Sequence, residues 1–192
     1  MRADNNTKEK ILSAAVELMS SKGYRGTTLQ EIAQCVGITQ AALYYYFESK
    51  EAILIEIART AVKDAQTAVG NALKENASAQ KRFADALQAY TYVVLGNKGM
   101  KIYFDEVREL SDPAKQVVKR EEAELVQALA EAFRECQKAG MTAFTSVTPR
   151  FVTLAVIGMS SWANRWYDDS GTLSKKEVAE LITRIALHGL FK

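Results

Sequence analysis

Proline, cysteine and histidine are scarce in this 192-residue chain, which holds two prolines, two cysteines and one histidine. Cys35 and Cys136 stand alone, without C-x-x-C spacing, and His188 is the single imidazole. A disulfide scaffold and a zinc site are thereby excluded, no metal or cofactor is expected, and a reducing, cytoplasmic setting fits. Long apolar runs are missing too. The longest apolar candidate, between Arg150 and Arg165, has 14 uncharged residues, short of the roughly 20 a membrane span needs. The beginning, MRADNNTKEK, lacks the apolar region of a signal peptide. Nor is there an excess of one charge: Lys and Arg number 25 against 23 Asp and Glu, for a formal +2. Any nucleic-acid contact must then come from the placement of residues, not from bulk charge. Catalysis finds no support either. No nucleophile and base gather around His188, no phosphate loop is present, and the neighbours Glu106 and Glu109, or Asp168 and Asp169, read as solvated charge.

What the chain does have is helix punctuation. Ten glycines fall mostly between apolar stretches of helical period, and no segment alternates with the period of a strand. Ile11, Ala15 and Leu18 begin a first helix that stops at Gly23. Thr28 with Glu31 forms a capping-box pattern opening a short helix that Gly37 ends. Thr39 caps a third, running to Phe47, and Ser49 a long fourth through Glu75. Further helices are expected near 79–95, 100–110, 113–139, 149–167 and 175–190. Asp112-Pro113 and Thr148-Pro149 mark two of the starts, and Ser174 with Glu177 marks the last. The expected fold is all-α.

The informative segment is TTLQEIAQCVGITQAALYYYFESKEAIL, residues 27–54. Two short helices flank a Gly-containing turn, with small Ala33 where they cross and Val36, Ile38 and Leu43 filling the angle, as in a helix-turn-helix. Leu43 and Phe47 share the inward face, which turns Gln40, Ala41 and Tyr44 to solvent. Duplex DNA gives each of these a purpose. Gln pairs with adenine or a phosphate, small Ala41 admits close approach to a thymine methyl, and a Tyr hydroxyl donates to phosphate. Thr28 and Lys50 stand at helix starts, where free amides and the helix dipole favour a phosphate. The bland alternative for the tyrosine triplet is packing, above all of Tyr45 against the first helix.

These residues resemble the TetR family of bacterial transcriptional regulators. The similarity runs from LMSSKGYRGTTLQEIA into IAQCVGITQAALYYYFESKEAIL, covering roughly residues 7–57. It implies an N-terminal three-helix DNA-binding domain, residues 1–50. A long fourth helix would join this to a helical effector-binding and dimerisation domain, residues 51–192. It implies that Thr28, Thr39, Gln40, Ala41, Tyr44, Tyr46 and Lys50 contact a double-stranded operator. The family often has Gly at the place of Ala41 and a hydroxyl residue at that of Ala42, so the base sequence read here is expected to differ. The ending, WANRWYDDSGTLSKKEVAELITRIALHGL, looks like the subgroup governing fatty-acid or steroid catabolism, whose members often sense acyl-CoA thioesters.

The C-terminal half is read more coarsely. The segment from Phe151 to Trp166 is apolar nearly all round, so burial on several sides is expected. With the stripe Val178, Leu181, Ile182 and Ile185, it could pair with its copy in a four-helix homodimer interface through the last two helices. Candidate effector residues are Tyr103, Phe104 and Arg108, the last on the Phe104 face by helical spacing, together with Trp162 and Trp166. Arg120, Arg150 and Arg165 are further candidates for an anionic group. The competing reading makes the aromatics core and the arginines surface ion pairs. Cys35 and Cys136 are expected to be buried fillers. The function expected is a ligand-responsive repressor released from a palindromic operator by a lipophilic effector. The alternatives are a regulator of drug efflux sensing lipophilic or cationic compounds, and a ligand-independent DNA-binding protein.

Overall fold

A computed structural model describes residues 2–191. It contains nine α-helices among the described residues: α1 (Arg2–Lys22), α2 (Leu29–Val36), α3 (Gln40–Tyr46), α4 (Lys50–Leu73), α5 (Ala79–Gly96), α6 (Lys98–Glu106), α7 (Asp112–Lys138), α8 (Pro149–Ala163) and α9 (Lys175–Leu190). The sole pairing of β type among these residues is an isolated bridge between Thr142 and Phe191. The fold is all-helical, as the periodicity requires.

Packing divides the chain into two units. One comprises the residues up to Ala61 with Lys98–Lys119, the other Val62–Asn97 with the chain from Arg120 onward. In the first unit α1 packs on α2 and on α6, and α2 on α3. Its core includes Ile11, Ala15, Met19, Ile32, Leu43 and Phe47, all buried, with Ile53 and Leu54 from the start of α4. Ala33, also buried, has the small side chain that close crossing of short helices demands.

The second unit centres on α5, which packs on both α8 and α9. Phe83, Leu87, Phe133, Cys136, Val156 and Ala186 form one buried cluster, with the Phe83 and Phe133 rings 5.3 Å apart. Each buried Phe or Leu here contributes about 1.5–3 kcal/mol relative to exposure. Between α5 and α8 the contact is partly polar. Thr91 and Ser160 share a 2.8 Å hydrogen bond, and Tyr90 Oη lies 3.1 Å from Ser161 Oγ. Burial pushes the Tyr90 phenol up to about 12, so it stays protonated in the interior.

Caps account for most helix boundaries. The boxes Thr28/Glu31 and Ser174/Glu177 are both closed, Ser49 accepts from Ala52 N at 3.0 Å, and Gly37 ends α2 with φ +75°. The structure differs from the sequence expectations at four places. Helix α6 stops at Glu106 and tightens into a 3-10 turn, Val107–Glu109. With three residues per turn instead of 3.6, exposed Arg108 leaves the Phe104 row. Helix α8 ends at Ala163, and Thr148 does not cap it with its side chain. A backbone bond from Phe151 N to Thr148 O, 2.9 Å, fills that role. Cys35 is exposed, because Ile32 and Ala33 take the inward face of α2, whereas Cys136 is buried. Helix α8, lastly, is covered on one side only. Val152, Val156, Ser160 and Ala163 face inward, while Phe151, Leu154, Met159 and Trp162 are exposed.

Candidate nucleic-acid interface

Helix α3 is short, and its hold on the unit is concentrated in two side chains. Leu43 is completely buried and Phe47, its C-cap, is 5% exposed. At 100° per residue the positions opposite Leu43 are Ala41 and Tyr45, with Gln40 and Tyr44 on the flanks. All four are exposed, Tyr44 half and Tyr45 77%. Tyr45 thus does not pack on α1. It meets Tyr46 edge-on, at 5.2 Å and 89°, while Tyr46 is half-buried. Two phenols and an amide are thus displayed to water beside a methyl, groups able to donate to a partner rich in hydrogen-bond acceptors.

The two threonines differ in what they can offer. Thr39 Oγ1 accepts from Ala42 N at 3.1 Å, capping α3 and leaving its own proton for donation outward. Thr28 Oγ1 accepts from Glu31 N at 3.2 Å and gives its proton to Glu31 Oε2 at 2.7 Å. Glu31 Oε2 also takes Thr28 N at 2.9 Å, and Lys22 pairs with the other oxygen. The Lys22 ammonium first, then the Thr28 hydroxyl and amide, hold the Glu31 carboxyl down to about 2.

Lys50 is turned toward the protein. Its Nζ donates to Tyr24 O and Thr27 O, each at 2.8 Å, and lies 4.3 Å from the Tyr24 ring centroid. Two of its three protons brace the α1–α2 turn against the start of α4. The same turn is gripped from α6 and the 3-10 turn: Glu106 accepts from Tyr24 N at 3.0 Å, and Glu109 takes Arg25 in a two-point pair. Burial and the surrounding carboxylates raise the Tyr24 phenol.

The seven residues expected at a DNA surface all lie in the first unit, in α3 and at the starts of α2, α3 and α4. The candidate effector residues do not share a unit. Tyr103, buried, Phe104, half-buried, and Arg108 belong to the first, with the two rings 5.7 Å apart. Trp162 and Trp166, 64% and 55% exposed, belong to the second. Missing from the sequence expectation is Tyr45, although its angle from Leu43 was a sufficient signal. Arg25 and its carboxylate partner were missed for a better reason, since they are 84 residues apart. Among the described residues no group of three or more His, Cys, Asp or Glu could hold a metal ion, and no helix is long and apolar enough to cross a membrane.

Comparison with known proteins agrees with this geometry. The family described as bacterial regulatory proteins, tetR family, matches residues 11–57, and the family described as tetracyclin repressor-like, C-terminal domain, matches residues 76–190. The HTH-type transcriptional repressor KstR2 of Rhodococcus jostii (strain RHA1) is 28% identical over 94% of this chain and 89% of its own length. Among solved structures, the TetR family regulator PfmR from Thermus thermophilus superposes with a TM-score of 0.83 at 28% identity, over 95% of this chain and 99% of that one. AibR, solved in complex with isovaleryl coenzyme A and operator DNA, shares the fold at 24% identity and TM-score 0.82, over 93% and 97%. With the matched families covering both the helix-turn-helix and most of the chain beyond it, this protein belongs to the TetR family of DNA-binding transcriptional regulators.

Proposed function

We propose that this regulator is a cytoplasmic homodimeric repressor that reads a palindromic operator and is released from it by a small lipophilic effector, with no catalytic chemistry of its own. The observation that carries the reading is α3, whose outward residues Gln40, Ala41, Tyr44 and Tyr45 are exposed while Leu43 alone of the helix is fully buried. Residues 1–50 are assigned to DNA and 51–192 to effector binding and self-association. Gln40, Ala41 and Tyr44 would read or flank bases, Thr39 and Tyr46 would reach phosphates, and Thr28 and Lys50 would set the helix positions.

Self-association through α8 and α9 is supported by the apolar face they leave uncovered, Phe151, Leu154, Met159, Trp162 and Ile185. Trp166 flanks that face beyond the end of α8 and is assigned to it with Trp162. Tyr103, Phe104 and Arg108 remain the residues assigned to the effector. An acyl-CoA thioester is the effector class proposed, supported by AibR, alike in fold and solved with isovaleryl coenzyme A. KstR2, a repressor similar over nearly the whole chain, supports the sign of regulation. An effector that binds better to a state with the wrong spacing of recognition helices shifts the dimer off DNA.

Selection of duplexes from a randomised pool, followed by titration of the bound complex with acyl-CoA thioesters, tests the proposal. An inverted repeat should emerge, and thioesters should release it where free coenzyme A does not. A pool without enriched symmetry overturns the operator reading. Release by cationic drugs alone replaces the effector class.

A further inference from the structure

The turn between α1 and α2 carries a cation whose partner has the chemistry of a phosphate. Arg25 donates through Nε and Nη2 to Oε2 and Oε1 of Glu109, each at 3.0 Å. A guanidinium uses the same fork on a phosphate. The Arg25 side chain is nonetheless 83% exposed, against 28% for Glu109, so the anion is the member held in place and the cation faces water. Arg25 lies three residues before Thr28, the N-cap of α2, where the helix dipole already favours an anion.

The neighbouring cations are committed differently. Lys22 pairs with Glu31, which closes the cap of α2, and Lys50 holds the main-chain carbonyls of Tyr24 and Thr27. Displacing either would loosen the helix-turn-helix itself. Arg25 holds only a side chain, so a second anion can replace Glu109 without disturbing the backbone. The turn keeps its attachment to α6 through Tyr24 N and Glu106.

We propose that Arg25 is a further phosphate-binding residue of this regulator and that Glu109 is its intramolecular competitor, occupying the guanidinium until DNA displaces it. The inference rests on the reading that the N-terminal helix-turn-helix docks on duplex DNA. Glu109 then acts against binding by holding the cation that the incoming phosphate needs. It stays ionised through neutral pH, since the Arg25 hydrogen bonds and charge keep its carboxyl below the usual range. The segment after α6 thereby sets an affinity as well as a shape.

Glu109→Gln, Arg25→Ala and the double variant test this by fluorescence anisotropy on a duplex that the wild-type protein selected from a randomised pool, across about 50 to 200 mM salt. Glu109→Gln should bind about tenfold tighter at the low-salt end with the log–log salt slope kept, since Arg25 meets the phosphate in both complexes. Arg25→Ala should flatten the slope, and adding Glu109→Gln to it should change neither affinity nor slope. Glu109→Gln binding equally or more weakly overturns the proposal. So does a gain that persists without Arg25, which would mark simple removal of negative charge. If Tyr44→Ala still weakens binding while Glu109→Gln does nothing, the docking reading stands and only the competition fails.

Discussion

Lys50 holds two main-chain carbonyls and covers an aromatic ring, so its loss should be felt in stability before it is felt on DNA. Lys50→Ala should lower unfolding free energy by about 1–2 kcal/mol, the range for charge-assisted hydrogen bonds at a half-buried site, read from the midpoint of a urea titration. Tyr44→Ala should leave that midpoint in place and weaken binding to a selected duplex. A Lys50 variant as stable as the wild type would show that the carbonyls are served as well by water. Glu31 offers a pH test at the same scale. Its folded-state carboxyl is depressed from 4.5 to about 2, chiefly by Lys22 and then by Thr28. A depressed acid contributes stability above its unfolded value and loses it as pH falls through the folded one. Between pH 4.5 and about 2 the wild type should therefore lose more stability than Glu31→Gln. Parallel urea midpoints for the two proteins across that window would deny the box any linked role.

At the scale of elements, how legible each helix was depended on where its boundary is decided. The limits of α2, α3 and α9 follow from local caps, Thr28 with Glu31 and Gly37, Thr39, and Ser174 with Glu177, all of which lie within a few residues of what they cap. The end of α6 is decided elsewhere. Glu106 and Glu109 engage Tyr24 and Arg25, more than 80 residues away, and no local pattern announces the 3-10 turn between them. Helix α8 misleads for another reason. An apolar surface all round predicts burial all round, yet one side of it waits uncovered in the single chain. Trp162 is 64% exposed and sits over Arg165, whose Cζ is 5.6 Å from the ring centroid. Trp162→Glu should then cost the folded chain less than about 1 kcal/mol, the ordinary range for an exposed site. The same change would put a charge into a paired α8–α9 face and shift sedimentation toward a monomer. A variant that stays associated at equal concentration would place the interface elsewhere.

For the whole molecule, the near-balance of charge becomes informative once the cations are located. Within residues 1–50, Arg2, Lys8, Lys10, Lys22, Arg25 and Lys50 stand against Asp4, Glu9, Glu17, Glu31 and Glu48, a net of +1. Four of those cations are engaged inside the first unit: Lys8 with Glu56, Lys22 with Glu31, Arg25 with Glu109, and Lys50 with carbonyls. A single copy therefore meets DNA with little counterion release to drive it, and non-specific binding should fade at modest salt. In the homodimer proposed above, useful affinity comes from two copies engaging one duplex, each raising the effective concentration of the other. Scrambling one half of a selected inverted repeat should then weaken binding by about 10²–10⁴-fold, far more than the loss of half the contacts from a rigid monomeric site. Trp162→Glu, if it separates the copies, should bind the intact repeat no better than the wild type binds the scrambled one. Equal anisotropy titrations for intact and half-scrambled duplexes would mean that one copy suffices, and the source of affinity would have to be sought in the outward face of α3 alone.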